Sequence, residues 1–189
     1  MQVEFSDKQK KALLGVARKS AKLALARSPM SAFTSEDDLF NKNLGCFVTL
    51  HNQGQLRGCI GHFTPSTPLV ATISEMGVSA AIKDHRFAQN PVTLAEMDTI
   101  DIEISVLSPM VLAENPLDLE LGVHGIYIIS GDRGGCFLPQ VATETGWDKE
   151  TFLSHCCRDK AGIGADAWRT GEAQVYLYTA TVFGELDFA

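Results

Sequence analysis

The sequence lacks most of the short signatures that announce a chemistry. It has no Cys-x-x-Cys pair, no His-Glu-x-x-His and no Asn-x-Ser/Thr sequon. Gly-x-Gly-x-x-Gly and the P-loop pattern are both missing, which argues against a dinucleotide or phosphate-loop enzyme of the common kinds. The longest stretch without Lys, Arg, Asp or Glu runs from Gly58 to Ser74. It contains Pro65, Pro68 and several hydroxyl residues, so it does not read as a membrane span. The opening Met-Gln-Val-Glu-Phe leads into a charged segment without an apolar core or Arg/Ser-rich character, so a cytoplasmic location is expected. The five cysteines (Cys46, Cys59, Cys136, Cys156, Cys157) are odd in number and lack framework spacing, which favours reduced thiols.

What is present is ordinary for a globular chain: 189 residues, 45% apolar and 21% charged, which excludes disordered, collagen-like and mucin-like classes. The length supports a single domain over 1–189, read as two halves of approximately 1–110 and 111–189. Charge is segregated. Residues 1–30 carry seven Lys/Arg against Glu4 and Asp7, while the remainder carries nine against 21 Asp/Glu, for a net −7. An acidic body disfavours nucleic acid as a partner.

Ser6-Asp7-Lys8-Gln9 forms a capping box that opens a helix to about Arg27. Leu13, Leu14, Ala17, Ala21, Ala24 and Leu25 fall on one face, and Lys8, Lys11, Arg18, Lys19 and Lys22 on the other. The cationic face reads as a solvated surface or as a stripe for an acidic partner. Residues 44–51 and 55–61 form a hairpin about Asn52-Gln53-Gly54, and a helix follows over about 67–83, capped by Ser66 or Thr67 with Pro68 in its first turn. From Thr99 to Leu107 the pattern alternates, Ile100, Ile102, Ile104 and Val106 against Asp101, Glu103 and Ser105. The order then recurs: strands at 125–130 and 136–139, helical material over 140–160 broken near Trp147-Asp148, and a strand at 173–183. Two hairpin-helix-strand halves imply an α+β fold, a single mainly antiparallel sheet with helices packed on it.

Leu56-Arg57-Gly58-Cys59-Ile60-Gly61-His62 is the sharpest local feature. Strand alternation places Arg57, Cys59 and Gly61 on one face and Leu56, Gly58 and Ile60 on the other. A permanent cation beside the thiol favours thiolate and can clamp a carboxylate or phosphate. Gly58 and Gly61 leave room for a ligand or another backbone. Buried packing of Cys59 is the alternative. His62 and His51 are candidate bases, though His62 needs the chain to turn at Gly61. Asp84 and Arg86 flank His85; they either fix the loop as a pair or bring Arg86 to the hairpin as an anion contact. Glu103 can meet Arg57 or Cys59 if its strand neighbours the 55–61 strand. His155-Cys156-Cys157 suggests metal at first sight, but on a helix the three diverge, so no metal is expected.

These residues resemble the AMMECR domain family, whose six-residue hallmark Leu56–Gly61 reproduces. Asp84-His85-Arg86-Phe87, Ile102–Pro109, His124-Gly125, Phe137–Ala142, Gly146-Trp147-Asp148 and Lys160-Ala161-Gly162 with Trp168 agree, over roughly residues 10–183. The resemblance implies an α+β sheet built from two related halves and no established reaction; cofactors stay unknown. It implies Arg57, Gly58, Cys59 and Gly61 as site residues, with Asp84, Arg86 and Gln140 beside them. Prokaryotic members accompany a Memo-like protein and a radical S-adenosylmethionine (radical SAM) protein, which become the expected partners. Two readings follow: Cys59 as nucleophile or redox thiol with Arg57 in electrostatic support and Glu103 as base or orienter, or a non-catalytic module for an anionic small molecule, peptide or protein partner.

Overall fold

The computed structural model describes residues 3–189. They divide into two compact units, 3–107 with 181–189, and 108–180. In the first unit α1 (Asp7–Leu25) starts at the expected capping box, with Ser6 and Gln9 bonding reciprocally. The hairpin is β1 (Cys46–Asn52) and β2 (Gln55–His62), followed by α2 (Leu69–Ile82) and β3 (Ile100–Leu107). β1 pairs antiparallel with both β2 and β3. The core lies between this sheet and the helices: Leu13, Leu14 and Ala17 of α1, Ile73 of α2, and Val48, Leu50, Ile102 and Ile104 of the strands.

Two expectations change here. α2 begins after Pro68 and has no side-chain cap. Its first amides are satisfied instead by loop carbonyls, Leu69 N–H donating to Lys42 at 2.8 Å and Val70 N–H to Phe40 at 3.2 Å. Arg18 is not part of a solvated face. Its guanidinium donates to the carbonyls of Met97 at 2.7 Å and Ile100 at 2.5 Å and pairs with Glu185, which also accepts from Ile102 N–H. The C-terminal segment is thereby tied to α1 and β3.

Two helix glycines differ in purpose. A Cβ at Gly77 of α2 would press on the Ala17 carbonyl, so the α1–α2 crossing needs glycine there. A Cβ at Gly15 of α1 would meet nothing, although a mid-helix glycine costs about 1 kcal/mol relative to alanine.

The second unit contains β4 (Val111–Leu112), the hairpin β5 (His124–Ser130) and β6 (Arg133–Phe137), the helices α3 (Pro139–Thr145) and α4 (Lys149–His155), a π-helical turn (Cys156–Ala161) and α5 (Ala167–Thr170). β7 (Gln174–Gly184) pairs with β5 and with β4. Ile126, Ile128, Phe137, Phe152, Leu153, Trp168 and Val175 form this unit's own core. The strand order is β2-β1-β3 in the first unit and β4-β7-β5-β6 in the second, and the fold is α+β with antiparallel pairing. Among the described residues no helix is long and apolar enough to cross a membrane, and no disulfide joins the cysteines.

Candidate functional site

The expected sharing of a strand face by Arg57 and Cys59 fails at one place. Leu50 stands opposite Gly58 and His51 opposite Leu56, so Arg57 is an extra residue, a β-bulge. Beyond a bulge the alternation resets, and side chains on the hairpin-loop side change faces. Leu56 joins His51, while Arg57 turns with Gly58 toward α2. The Arg57 guanidinium is engaged there. It forms a two-pronged pair with Glu96, at 2.5 and 3.0 Å, donates to the Asn90 carbonyl at 3.1 Å and lies over the Phe87 ring. Both side chains of the pair are largely covered, and the guanidinium, with a further hydrogen bond from Asn52, holds the Glu96 carboxyl down at about 2. Arg57 thus ties the hairpin to the 95–98 turn and walls a cavity of about 420 Å³ with Ala80, Ala81, Asp84, His85 and Phe87.

The two hallmark glycines are occupied by protein. A Cβ at Gly58 would collide with the Ala80 carbonyl of α2, and one at Gly61 with the Phe47 ring, which itself packs edge-on against Phe63. The room predicted beside them admits a helix backbone and an aromatic side chain.

Cys59 keeps the orientation expected of it, away from α2. It is half-buried beside Thr49, its cross-strand partner, whose hydroxyl contacts Sγ at 3.3 Å. Its main chain faces the open edge of β2, where Asp84 and Arg86 take the place of a missing strand. Cys59 N–H donates to Asp84 Oδ2 at 2.9 Å, and Arg86 donates to the Cys59 carbonyl at 3.1 Å. The two side chains also clasp each other through Nε–Oδ1 at 2.9 Å and Nη2–Oδ2 at 2.6 Å. The Arg86 hydrogen bonds hold the buried Asp84 carboxyl down at about 2, helped by the amides of Cys59 and Arg86. Arg86 is held above its usual value, first by Asp84 and then by the Cys59 side chain. The permanent cation beside the thiol is therefore Arg86, whose side chain is 56% exposed, and not Arg57.

Glu103 and His62, in the same unit, lie apart from Cys59. Glu103 shares the face of Cys59, but Thr49 pairs with both, so Glu103 is two strands away, about 10 Å at the usual interstrand spacing. It lines a separate cavity of about 440 Å³ with His51, Asp101 and Glu185. His62 is exposed at the end of β2. Gln140 belongs to α3 in the other unit. His155 stacks on Trp147 and bonds Asp159 at 2.6 Å, while Cys156 and Cys157 are buried. Among the described residues no three His, Cys, Asp or Glu side chains gather as a metal site.

Glu96 and Thr49 join the site without a motif that marks them. Thr93 three positions before Glu96 announces the capped turn, and Thr93 does bond the Glu96 amide. Nothing local announces that the Glu96 carboxylate receives Arg57 from 39 residues away.

The AMMECR1 family model matches residues 14–183. Protein MJ0810 of Methanocaldococcus jannaschii is 40% identical over 161 residues, 81% of this chain and 79% of that protein. A protein of Methanothermobacter thermautotrophicus is 44% identical over 154 residues, covering 78% of this chain and 79% of its own. The crystal structure of the uncharacterized protein PH0010 from Pyrococcus horikoshii superposes with a TM-score of 0.85 at 35% identity, over 96% of this chain and 93% of that one. A match over residues 14–183 that includes the whole Leu56–Gly61 strand, together with these likenesses, makes the chain a member of the AMMECR1 family.

Proposed function

We propose that the protein acts through the Cys59 thiol, with Arg86 as the neighbouring cation, in catalysis or modification chemistry in the cytoplasm alongside Memo-like and radical SAM proteins. One observation carries this reading. Within the hallmark, Arg57 is spent on Glu96, Gly58 on α2 and Gly61 on Phe47, whereas the Cys59 thiol stays half-buried beside a half-exposed guanidinium. An Arg beside a thiol orients and attracts an anionic or electrophilic group arriving there.

Alkylation of the native protein by iodoacetamide tests it. Cys59 reacts ahead of Cys46 and Cys156, both fully buried, with the Cys46 thiol pushed up to about 12 by desolvation. Arg86→Gln slows the reaction at Cys59 alone. Equal, slow labelling of Cys59 and Cys46 would overturn the reading. Intact mass of the chain co-expressed with Memo-like and radical SAM proteins then tests for a modification that Cys59→Ser abolishes.

A second reading, a non-catalytic module for an anionic ligand or partner, is favoured by the carboxylates. Asp84 and Glu96 are both held near 2 by guanidinium pairs, and such weak bases are poor proton acceptors near neutral pH. Under that reading Cys59→Ser leaves ligand binding unchanged while Arg86→Gln weakens it.

A further inference from the structure

The outer face of α1 carries an apolar groove with a cationic rim, remote in chemistry from the Cys59 edge. Gly15, Leu23, Ala26 and the half-exposed Leu94 make its floor, and Arg18, Lys19 and Lys22 its sides, enclosing about 500 Å³. Every ionisable group lining it is basic. Arg18 is committed to Glu185 and to the carbonyls of Met97 and Ile100, so it serves as a fixed wall. Lys22 meets Asp98 at 3.0 Å in an exposed pair that solvent screens, and Lys19 is exposed with its ammonium over the Phe33 ring.

Gly15 lies at the N-terminal end of this groove, one turn before Lys19. The fold has no use for a glycine there, since a Cβ would meet nothing, unlike Gly77, where Ala17 would be struck. A helix-weakening residue without an internal reason, on the floor of an apolar groove, marks a close approach from outside.

We propose that this face docks an acidic, leucine-bearing segment of a partner protein. The apolar side chains of that segment would fill the floor over Gly15, Leu23 and Leu94, and its carboxylates would meet Lys19 and Lys22. Charge complementarity selects this occupant. Residues 1–30 hold seven Lys/Arg against two acids, whereas the rest of the chain is strongly acidic, so an acidic segment is repelled elsewhere and steered to α1. A groove with an apolar floor is a poor match for nucleic acid, whose contacts are mainly to phosphate.

Selection from phage-displayed random peptides of about 16 residues, the length of an amphipathic helix in a groove, tests the proposal. The recovered peptides are expected to be net acidic with apolar residues three and four apart. Labelled copies of them, measured by fluorescence anisotropy, lose about tenfold in affinity to Gly15→Gln. That variant keeps or raises the thermal midpoint, because it removes a helix glycine into open space. Lys19→Glu loses affinity and flattens the salt dependence. Recovered peptides without an acidic bias, binding that Gly15→Gln leaves intact, or tighter binding of a duplex DNA or single-stranded RNA oligonucleotide than of the peptides would each overturn the proposal, as would failure to recover any peptide.

Discussion

Gly58-Cys59 on β2 and Gly135-Cys136 on β6 occupy matching places, each in the second strand of a hairpin that a helical segment follows. In both, the glycine lets that segment sit against the strand: the Ala80 carbonyl of α2 abuts Gly58, and the backbone of Lys160 and Ala161 abuts Gly135. The cysteines stand opposite Thr49 and Tyr127. The hairpins then part company. At β2, two covered or half-covered ion pairs, Arg57–Glu96 and Arg86–Asp84, lock the strand and its edge. At β6, the corresponding polar contact is the exposed Arg133 donating to the Gly162 carbonyl at 2.9 Å. The glycine therefore belongs to the packing plan of both hairpins, while the covered and half-covered ion pairs among the described residues stand at the first.

The largest expected effect breaks what the two share. Gly58→Val and Gly135→Val each force a side chain into helix backbone and should each cost about 3 kcal/mol or more, read from urea midpoints. A loss at only one of them would show that the glycines do different work.

Next comes the difference itself. Glu96→Gln leaves the covered Arg57 guanidinium without its carboxylate and should cost about 2–4 kcal/mol at neutral pH. Arg133→Gln, at an exposed contact, should cost only a few tenths. Acid titration sharpens the contrast. The Glu96 carboxyl is depressed in the folded state from 4.5 to about 2, first by Arg57. Its contribution is fully present above about pH 4.5 and is lost as pH falls toward 2. The wild-type protein should lose stability over that window, and Glu96→Gln should lose less.

How much of this the sequence carries depends on the range over which each signal acts. The α1 capping box, the β1–β2 turn and the alternation of β3 are written within a few residues, and the structure has them where those residues put them. The Arg57 bulge is written nowhere locally. A one-residue insertion in register is decided by what the strand packs on, here α2 against Gly58 and Glu96 against Arg57, and it moved Arg57 off the face of Cys59. Arg18 leaves the solvated face for a related reason. Its helical face is the polar one, but the carbonyls of Met97 and Ile100 and the Glu185 carboxylate come from residues 79 to 167 positions away. The alternative raised for Asp84 and Arg86, a pair that fixes its loop, is what the structure contains, with the β2 edge as an added partner.

The edge clasp gives smaller effects than the Arg57–Glu96 pair and separates its two members. Asp84 is buried, and its carboxyl, depressed from 3.8 to about 2 chiefly by Arg86, accepts from the Cys59 amide. Asp84→Asn should cost about 1.5–3 kcal/mol near neutral pH, the range for a hydrogen bond to a charged group, and that contribution fades in the wild type as pH falls from about 3.8 toward 2. Arg86→Gln should cost about 1–2 kcal/mol: water competes for its half-exposed guanidinium, but its loss leaves the buried Asp84 carboxylate with the Cys59 and Arg86 amides. Hydrogen exchange tells the two apart more sharply than stability does. The Cys59 amide donates outward from β2 to Asp84, so Asp84→Asn should speed its exchange well beyond the change in global stability. Arg86→Gln removes contacts to the Cys59 carbonyl and side chain, the Asp84 carboxylate and the Phe87 ring, none of them to the Cys59 amide, so that amide should exchange slightly faster and no more. Equal exchange in both variants would mean that the pair acts as one unit on the strand edge, with Asp84 held in place only by Arg86.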